Sequence, residues 1–295
     1  MSSPPPSKQP AAWVVADVPL HARPGGIAAG PRAVWVADFD DGTLVRIDPA
    51  RARITRAIGV GPKPLVVAVG AGRVWAGNSE RLVAVDPKYD HVVAETPLDQ
   101  KIHRFGRADV GYGNTSALAT GTAGIWDAHT VSALSKIDPA TGSLLSSTTL
   151  EDAPTSVAVG KDIVWVTASA TSRLIGIDAA TGSVSNSIAV PDMAPWSGPN
   201  AGGGVALGYG SVWVPTSSGV RRIDQITGGT TARIPTGAGA EGVALGGGSV
   251  WIANYLAGTV SRIDPVTDRV IATIRIGNNP AALAFAQGRV WVTVY

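Results

Sequence analysis

The residues able to do chemistry are few, and they gather in two stretches. His103, Arg104, Arg107, Asp109 and Tyr112 fall within DQKIHRFGRADVGYGN, residues 99–114, and Asp127 and His129 follow in IWDAHT. A histidine pair flanked by a carboxylate can bind a metal ion or move a proton near neutral pH. No H-x-H or H-E-x-x-H spacing accompanies this pair. Arg104 and Arg107 flank Phe105 in a basic–aromatic cluster that would suit an anionic group. The second stretch is PDMAPWSGPNA, residues 191–201, with Asp192, Trp196 and Asn200. Glu241 stands where comparable segments carry Thr, Ala or Gly, and Asn254 and Tyr255 follow shortly after. Trp196 and Tyr255 would supply two aromatic walls, with Glu241 and Asn254 as polar groups between them. The ligand-binding candidates are therefore Trp196, Glu241, Asn254, Tyr255, His103, Arg104, Arg107, Tyr112, Asp127 and His129. No catalytic set and no metal set is complete among them, and no cofactor is expected.

Other motifs carry less. GAGAEG, residues 237–242, fits a dinucleotide fingerprint, but it joins two strand-like segments instead of a strand and a helix. Asn114-Thr-Ser matches a glycosylation acceptor. There is no G-x-S-x-G and no P-loop.

The elements that position these residues repeat along the chain. A Val-Trp or Ile-Trp pair recurs at Trp35, Trp75, Trp126, Trp165, Trp213, Trp251 and Trp291, with spacings of 40, 51, 39, 48, 38 and 40. An Ile-Asp or Val-Asp pair, usually followed by Pro, recurs at Asp48, Asp86, Asp138, Asp178, Asp224 and Asp264. A small apolar run ending in Gly, such as VVAVG or GVALG, precedes each Trp. Within a unit, four short apolar stretches are separated by Gly, Asp, Asn or Pro. Their richness in Val, Ile and Thr and their lack of helical periodicity predict four strands, here a to d, with Trp on strand b. Four short antiparallel strands per roughly 40 residues are the mark of a propeller blade. The Trp packs blade on blade, and the Asp caps the c–d corner through its own turn.

Composition agrees. Of 295 residues, 45% are hydrophobic, 16% are charged, and the net charge is +2. That excludes a disordered chain and argues against a dedicated nucleic-acid surface. Cys is absent, so there is no disulfide, thiol nucleophile or thiolate metal site. The uncharged run 193–220 alternates like strands and is broken by Gly and Pro, so no membrane span is expected.

The units resemble YVTN/NHL-type repeats over about residues 12–295, as in YncE-like proteins and streptogramin B lyases. The resemblance implies a propeller that hosts binding modules as well as lyases and lactonases. Streptogramin lyases carry P-H-G/A-I where late blades begin, with a nearby Glu for metal-assisted elimination. The matching segments here read AEGVAL and NNPAALAF, with Gly242 and Ala281 in place of His and Asn279 in place of Glu.

The expectation is an all-β, seven-bladed β-propeller of four-stranded antiparallel blades, its last blade closed by the N-terminal strand Trp13–Leu20. Residues 1–11 form a disordered Pro/Ser-rich leader and residues 12–295 one domain. The insertions at 99–114 and 191–201 both fall on d–a connections, hence on one face, which marks it as the binding face. The expected function is non-catalytic recognition of a small molecule, glycan or protein on that face. The chain is expected to be tethered through the leader in an extracytoplasmic setting, with the cytoplasm as the second option. The alternative is a lyase or lactonase using Glu241 with His103 and His129 and a divalent cation.

Overall fold

The computed structural model describes residues 14–21, 23–78, 80–97, 115–130, 132–193 and 204–295. Each predicted unit becomes a small antiparallel sheet. Blade 1 runs Pro24–Ala29 (β1), Val34–Asp38 (β2), Thr43–Asp48 (β3) and Arg53–Gly59 (β4). Blade 2 is Val66–Gly70 (β5), Arg73–Gly77 (β6), Arg81–Asp86 (β7) and His91–Pro97 (β8). Blade 3 is Thr115–Gly121 (β9), Gly124–His129 (β10), Ala133–Ile137 (β11) and Leu144–Thr149 (β12). Blade 4 is Ser156–Val159 (β13), Ile163–Ala168 (β14), Arg173–Asp178 (β15) and Val184–Ala189 (β16). Blade 5 is Ala206–Gly208 (β17), Ser211–Thr216 (β18), Gly219–Asp224 (β19) and Thr230–Pro235 (β20). Blade 6 is Ala240–Gly246 (β21), Ser249–Asn254 (β22), Thr259–Asp264 (β23) and Arg269–Arg275 (β24). The seventh unit contributes only Pro280–Ala286 (β25) and Arg289–Val294 (β26).

The protein is thus an all-β propeller with six four-stranded blades. The expected seventh four-stranded blade, closed by Trp13–Leu20, does not form. Residues 14–20 join no ladder, and Trp13 lies outside the described residues. The reason is topological. In every complete blade strand d pairs with strand c, and among the described residues the seventh unit offers no strand c. The ring closes by another route. The inner strands neighbour one another in sequence around the axis, and β25 returns to lie against β1. The Tyr295 hydroxyl then donates to the Pro24 carbonyl across the seam.

Packing between blades explains the Trp repeat. Trp35, Trp75, Trp126, Trp165 and Trp213 are at most 1% exposed. Each meets aliphatic residues of the next blade, as Trp35 does with Val67, Val74 and Val85. A basic residue sits directly opposite four of the repeat rings on strand c: Arg46, Lys136, Arg222 and Arg262 opposite Trp35, Trp126, Trp213 and Trp251. Their charges lie 5.2–5.6 Å from the ring centroids of Trp35, Trp126, Trp213 and Trp251, within cation–π range. Several reach on to the next blade's c–d corner. Arg46 pairs with Asp90, Arg222 with Asp268, and Lys136 donates to the Ala179 carbonyl.

The corner aspartates are turn residues. Asp48, Asp86, Asp138, Asp178, Asp224 and Asp264 each accept a backbone N–H two residues on. Hydrogen bonding from backbone amides holds four of these carboxyls below their ordinary value, foremost from the third residue on (Thr181, Thr227) at Asp178 and Asp224 and from the second (Ala140, Val266) at Asp138 and Asp264. A depressed folded-state pKa stabilises the fold above the ordinary carboxylate range and is lost as pH falls through the depressed value. Asp264→Ala should therefore lower stability at pH 7 by roughly 0.5–1 kcal/mol, a turn or cap bond on an exposed surface. The difference from the unmodified chain should shrink on acidification below the carboxylate range, as read by urea unfolding at the two pH values.

Candidate functional site

Among the described residues the axis holds a cavity of about 60 Å³, walled by inner-strand residues such as Gly26, Val66, Ala117 and Val243, whereas small-molecule sites take several hundred. Backbones come close there. A Cβ on Gly242 would lie 2.1 Å from the Ala281 carbonyl oxygen. The rim that carries the b–c and d–a connections offers more room and is built differently from the other.

Its distinguishing feature is a run of aromatics four residues after the Trp in three neighbouring units: Tyr255 in blade 6, Tyr295 in the seventh unit and Phe39 in blade 1. Each is clipped by the same backbone bond. Tyr255 N–H donates to Gly239 O at 2.8 Å, Tyr295 N–H to Asn279 O at 3.3 Å, and Phe39 N–H to Arg23 O at 3.0 Å. The aromatics are therefore half-buried and fixed, not loose loop residues. The same three units share a bulge where strand a meets strand b, at Pro24/Ile27, Ala240/Val243 and Pro280/Leu283. A bulge re-aims its residues, and Glu241 is one of them.

Charges complete this arc. Arg23 lies 4.7 Å from the Phe39 ring centroid and forms an ion pair with Asp40 at 2.8 Å. Burial pushes the Tyr295 phenol above its ordinary value. The neighbouring Tyr255 and Glu241 push it the same way, and Arg23 opposes them. Those couplings bring Glu241, Tyr255 and Tyr295 into one electrostatic neighbourhood. Asn254 beneath Tyr255 is fully buried. Its Nδ2 donates to Thr259 Oγ1 at 3.0 Å and Ser261 Oγ at 2.9 Å, while its Oδ1 is without a hydrogen bond.

A second polar group lies in blade 3. Asp127 and His129 alternate on one face of β10 and are 0% and 5% exposed. They belong to strand b itself, as do Asp38 and Asn254. His129 Nε2 sits 3.0 Å from Ser135 Oγ and 3.7 Å from Asp127 Oδ2. Thr115 Oγ1 donates to Asp127 Oδ2 at 3.4 Å, and Asp127 Oδ1 has no hydrogen bond. Both the serine and the aspartate approach the same imidazole nitrogen, so the three form no relay of the nucleophile–base–acid kind, which needs the two ring nitrogens. Asp127 also occupies the position after Trp where the other units carry Val, Ala or Ile. Burial raises its carboxyl, with His129 and Thr115 opposing.

Of the sequence-predicted residues, Glu241, Asn254 and Tyr255 come together in blade 6, and Asp127 and His129 come together in blade 3. The two groups are three units apart around the ring, so Glu241 and His129 do not share a site. Among the described residues no three His, Cys, Asp or Glu side chains are grouped to hold a metal ion. His103, Arg104, Arg107, Tyr112 and Trp196 lie outside the described residues. The start of the second insertion is described: Asp192 pairs with Arg221 at 2.5 Å, and its carbonyl accepts from Ser217 N–H. Sequence reasoning missed Tyr295, Phe39 and Arg23, although the constant offset of four from Trp would have found the two aromatics.

No family model matches the chain, and no curated protein sequence matches it. Among solved structures it is similar to hydrazine synthase of Kuenenia stuttgartiensis, at 14% identity and a TM-score of 0.71, covering 94% of this chain and 98% of that one. It is also similar to U3-55K, at 11% identity and a TM-score of 0.71, covering 94% and 89%. At these identities the likeness shows the fold alone, a β-propeller.

The raised carboxyl of Asp127 fixes a sign. The folded state holds the proton in the window above the ordinary Asp value, so stability falls as pH rises through that window and then levels off. Asp127→Asn should abolish that slope and stabilise the protein at pH 7 by on the order of 1 kcal/mol or more, the cost of a poorly satisfied buried charge. Destabilisation at pH 7 would mean that the ionised pair with His129 outweighs its burial.

Proposed function

We propose that the chain is a recognition propeller that binds its ligand on the rim arc over blade 6, the seventh unit and blade 1. The observation that carries this is the trio Tyr255, Tyr295 and Phe39, held by one repeated backbone bond, with the half-buried Glu241 on a bulge beside them. Rigid aromatic rings give contact area with little entropy to lose, and a nearby carboxylate gives direction. A glycan fits this chemistry best among the ligand classes. Its C–H faces stack on rings and its hydroxyls donate to Glu241. A cationic small molecule or a protein loop would use the same groups.

We read the ring as a seven-unit propeller of the YVTN/NHL type, on the strength of its Trp and Ile-Asp repeats. The Pro/Ser-rich start of the chain supports a tethered, extracytoplasmic setting. No helix among the described residues is long and apolar enough to cross a membrane. The lyase or lactonase alternative gains no supporting observation, because Glu241 and His129 stand on different blades.

A panel of soluble oligosaccharides and small ammonium compounds, screened by thermal shift, tests the reading. A hit should lose roughly 5- to 150-fold in affinity in Tyr255→Ala and in Glu241→Gln, the range of about 1–3 kcal/mol for an anchor or a charged hydrogen bond. His129→Gln should leave it unchanged. Equal affinity in all three variants would move the site off the arc.

A further inference from the structure

We infer that the ring carries one yielding seam, between blades 4 and 5, which opens on the rim of the c–d corners while its other rim stays clasped. In each seam between consecutive complete blades, a strand-b Trp packs on aliphatic residues of the next blade. The seams differ in what ties them at the c–d corners. At the 1–2 seam Arg46 reaches past Trp35 to Asp90, its Nη1 2.9 Å from both carboxylate oxygens. At the 2–3 seam Arg73 Nη2 donates to Ala140 O at 2.7 Å, and the Thr96 hydroxyl donates to Gly142 O. At the 3–4 seam Lys136 Nζ donates to Ala179 O at 2.7 Å, and Thr148 Oγ1 to Gly182 O at 2.6 Å. At the 5–6 seam Arg222 Nη1 donates to Pro265 O at 2.7 Å and to Asp268 Oδ1 at 2.9 Å.

Every one of these donors has a counterpart at the 4–5 seam whose side chain cannot donate. Opposite the Trp, where blades 1, 3 and 5 carry Arg46, Lys136 and Arg222, blade 4 carries Gly176. Two residues before the Trp, where blade 2 carries Arg73, blade 4 carries Ile163. On strand d, Ile188 opposite Leu174 takes the register of Thr96 opposite Leu82 and of Thr148 opposite Leu134. The receiving corner differs in the same way. Gly228 follows Asp224 by four residues, as Asp90 follows Asp86 and Asp268 follows Asp264. A Cβ on Gly228 would lie 2.9 Å from Ile188 Cδ1, so a methyl group fills the place of the tie. Among the described residues no side chain ties this seam at the c–d corners. The apolar layer of Trp165 with Val205, Val212, Val214 and Ile223 holds it there.

The opposite rim of the same seam is tied. Asp192, just past β16, pairs with Arg221 at 2.5 Å, and its carbonyl accepts Ser217 N–H at 3.0 Å. Met193 bridges to Thr216 beside them. Bonds on one rim and an apolar contact alone on the other make a hinge. Parting at the c–d end bares Trp165 and widens the ring without breaking the ladder of any blade. Local opening draws on the least-tied contacts, and a hydrogen bond to a charged group is strong enough to change its population about tenfold or more.

The chain has no Cys, so single introduced thiols can report on each seam. Val74, Val164, Val212 and Val250 precede the Trp of their blades and are 0% exposed. They lie in the 1–2, 3–4, 4–5 and 5–6 seams respectively. In native buffer, with folding of each variant checked by its Tm, Val212→Cys should react with a soluble disulfide reagent roughly tenfold faster than Val74→Cys, Val164→Cys or Val250→Cys. Val214 is equally buried in the 4–5 layer but two residues nearer the clasped rim. Val214→Cys should react roughly fivefold more slowly than Val212→Cys. As a second measurement, Lys136→Met removes the tie at the 3–4 seam. It should speed labelling of Val164→Cys about tenfold and leave that of Val212→Cys unchanged. Equal labelling at the four seams would overturn the proposal. So would equal labelling of Val212→Cys and Val214→Cys, or a Val164→Cys rate that does not respond to Lys136→Met.

Discussion

The structure depends on one contact made seven times, the indole of strand b against the aliphatic face of the next unit. Five of the seven indoles are at most 1% exposed, and each large ring removes apolar surface from both neighbouring units. The contact is directional, because Trp faces one neighbour and the residues on either side of it face the other. A ring of such contacts fixes the order and tilt of every unit, so the two rims are set before any loop is placed. The cations of strand c act on the same layer. They cover the rings and reach the c–d corner of the following unit, so one side chain closes the Trp layer and ties two blades.

That arrangement leaves the ends of the b strands free for other work. Polar side chains three residues past Trp are buried under the rim at Asp38, Asn78, His129, Thr216 and Asn254. Some serve the fold. Asn78 accepts the N–H groups of Glu80 and Arg81 and donates to the Val60 carbonyl. Others keep unmet capacity, as Asn254 does at Oδ1. Bulges at the start of strand a occur in blades 1, 3 and 6 and in the seventh unit, the units that carry the aromatic arc and the Asp127–His129 pair. The local departures from blade geometry thus coincide with the departures from blade composition, as expected where a regular fold has been adapted to a site.

What was legible in the sequence was what repeats. The Trp spacing and the Ile-Asp corners name strands b and the c–d turns because each is set by short-range geometry. The N-terminal segment joins no ladder, since a strand d needs a strand c to pair with and the described residues of the seventh unit offer none. Polar residues after an apolar run suggest a turn, whereas Asp127 and His129 lie within β10. Their alternation on one face of β10, opposite to Trp126, is a pattern of the folded sheet. The Arg and Lys residues over the indoles were hidden for the same reason, since these cross-strand partners lie nine to eleven residues apart in sequence. Tyr295 and Phe39 were overlooked because each looks incidental alone and matters only in register with Tyr255.

The two rims carry tyrosines that can report on the binding face directly. Tyr255 and Tyr295 stand on the arc, while Tyr89 lies in a c–d corner and Tyr209 in an a–b turn, both on the other rim. With ring-labelled tyrosine, addition of a bound glycan should shift the resonances of Tyr255 and Tyr295 and leave those of Tyr89 and Tyr209 in place. Saturable shifts confined to Tyr89 and Tyr209, with the arc tyrosines unmoved, would contradict the assignment of recognition to this face.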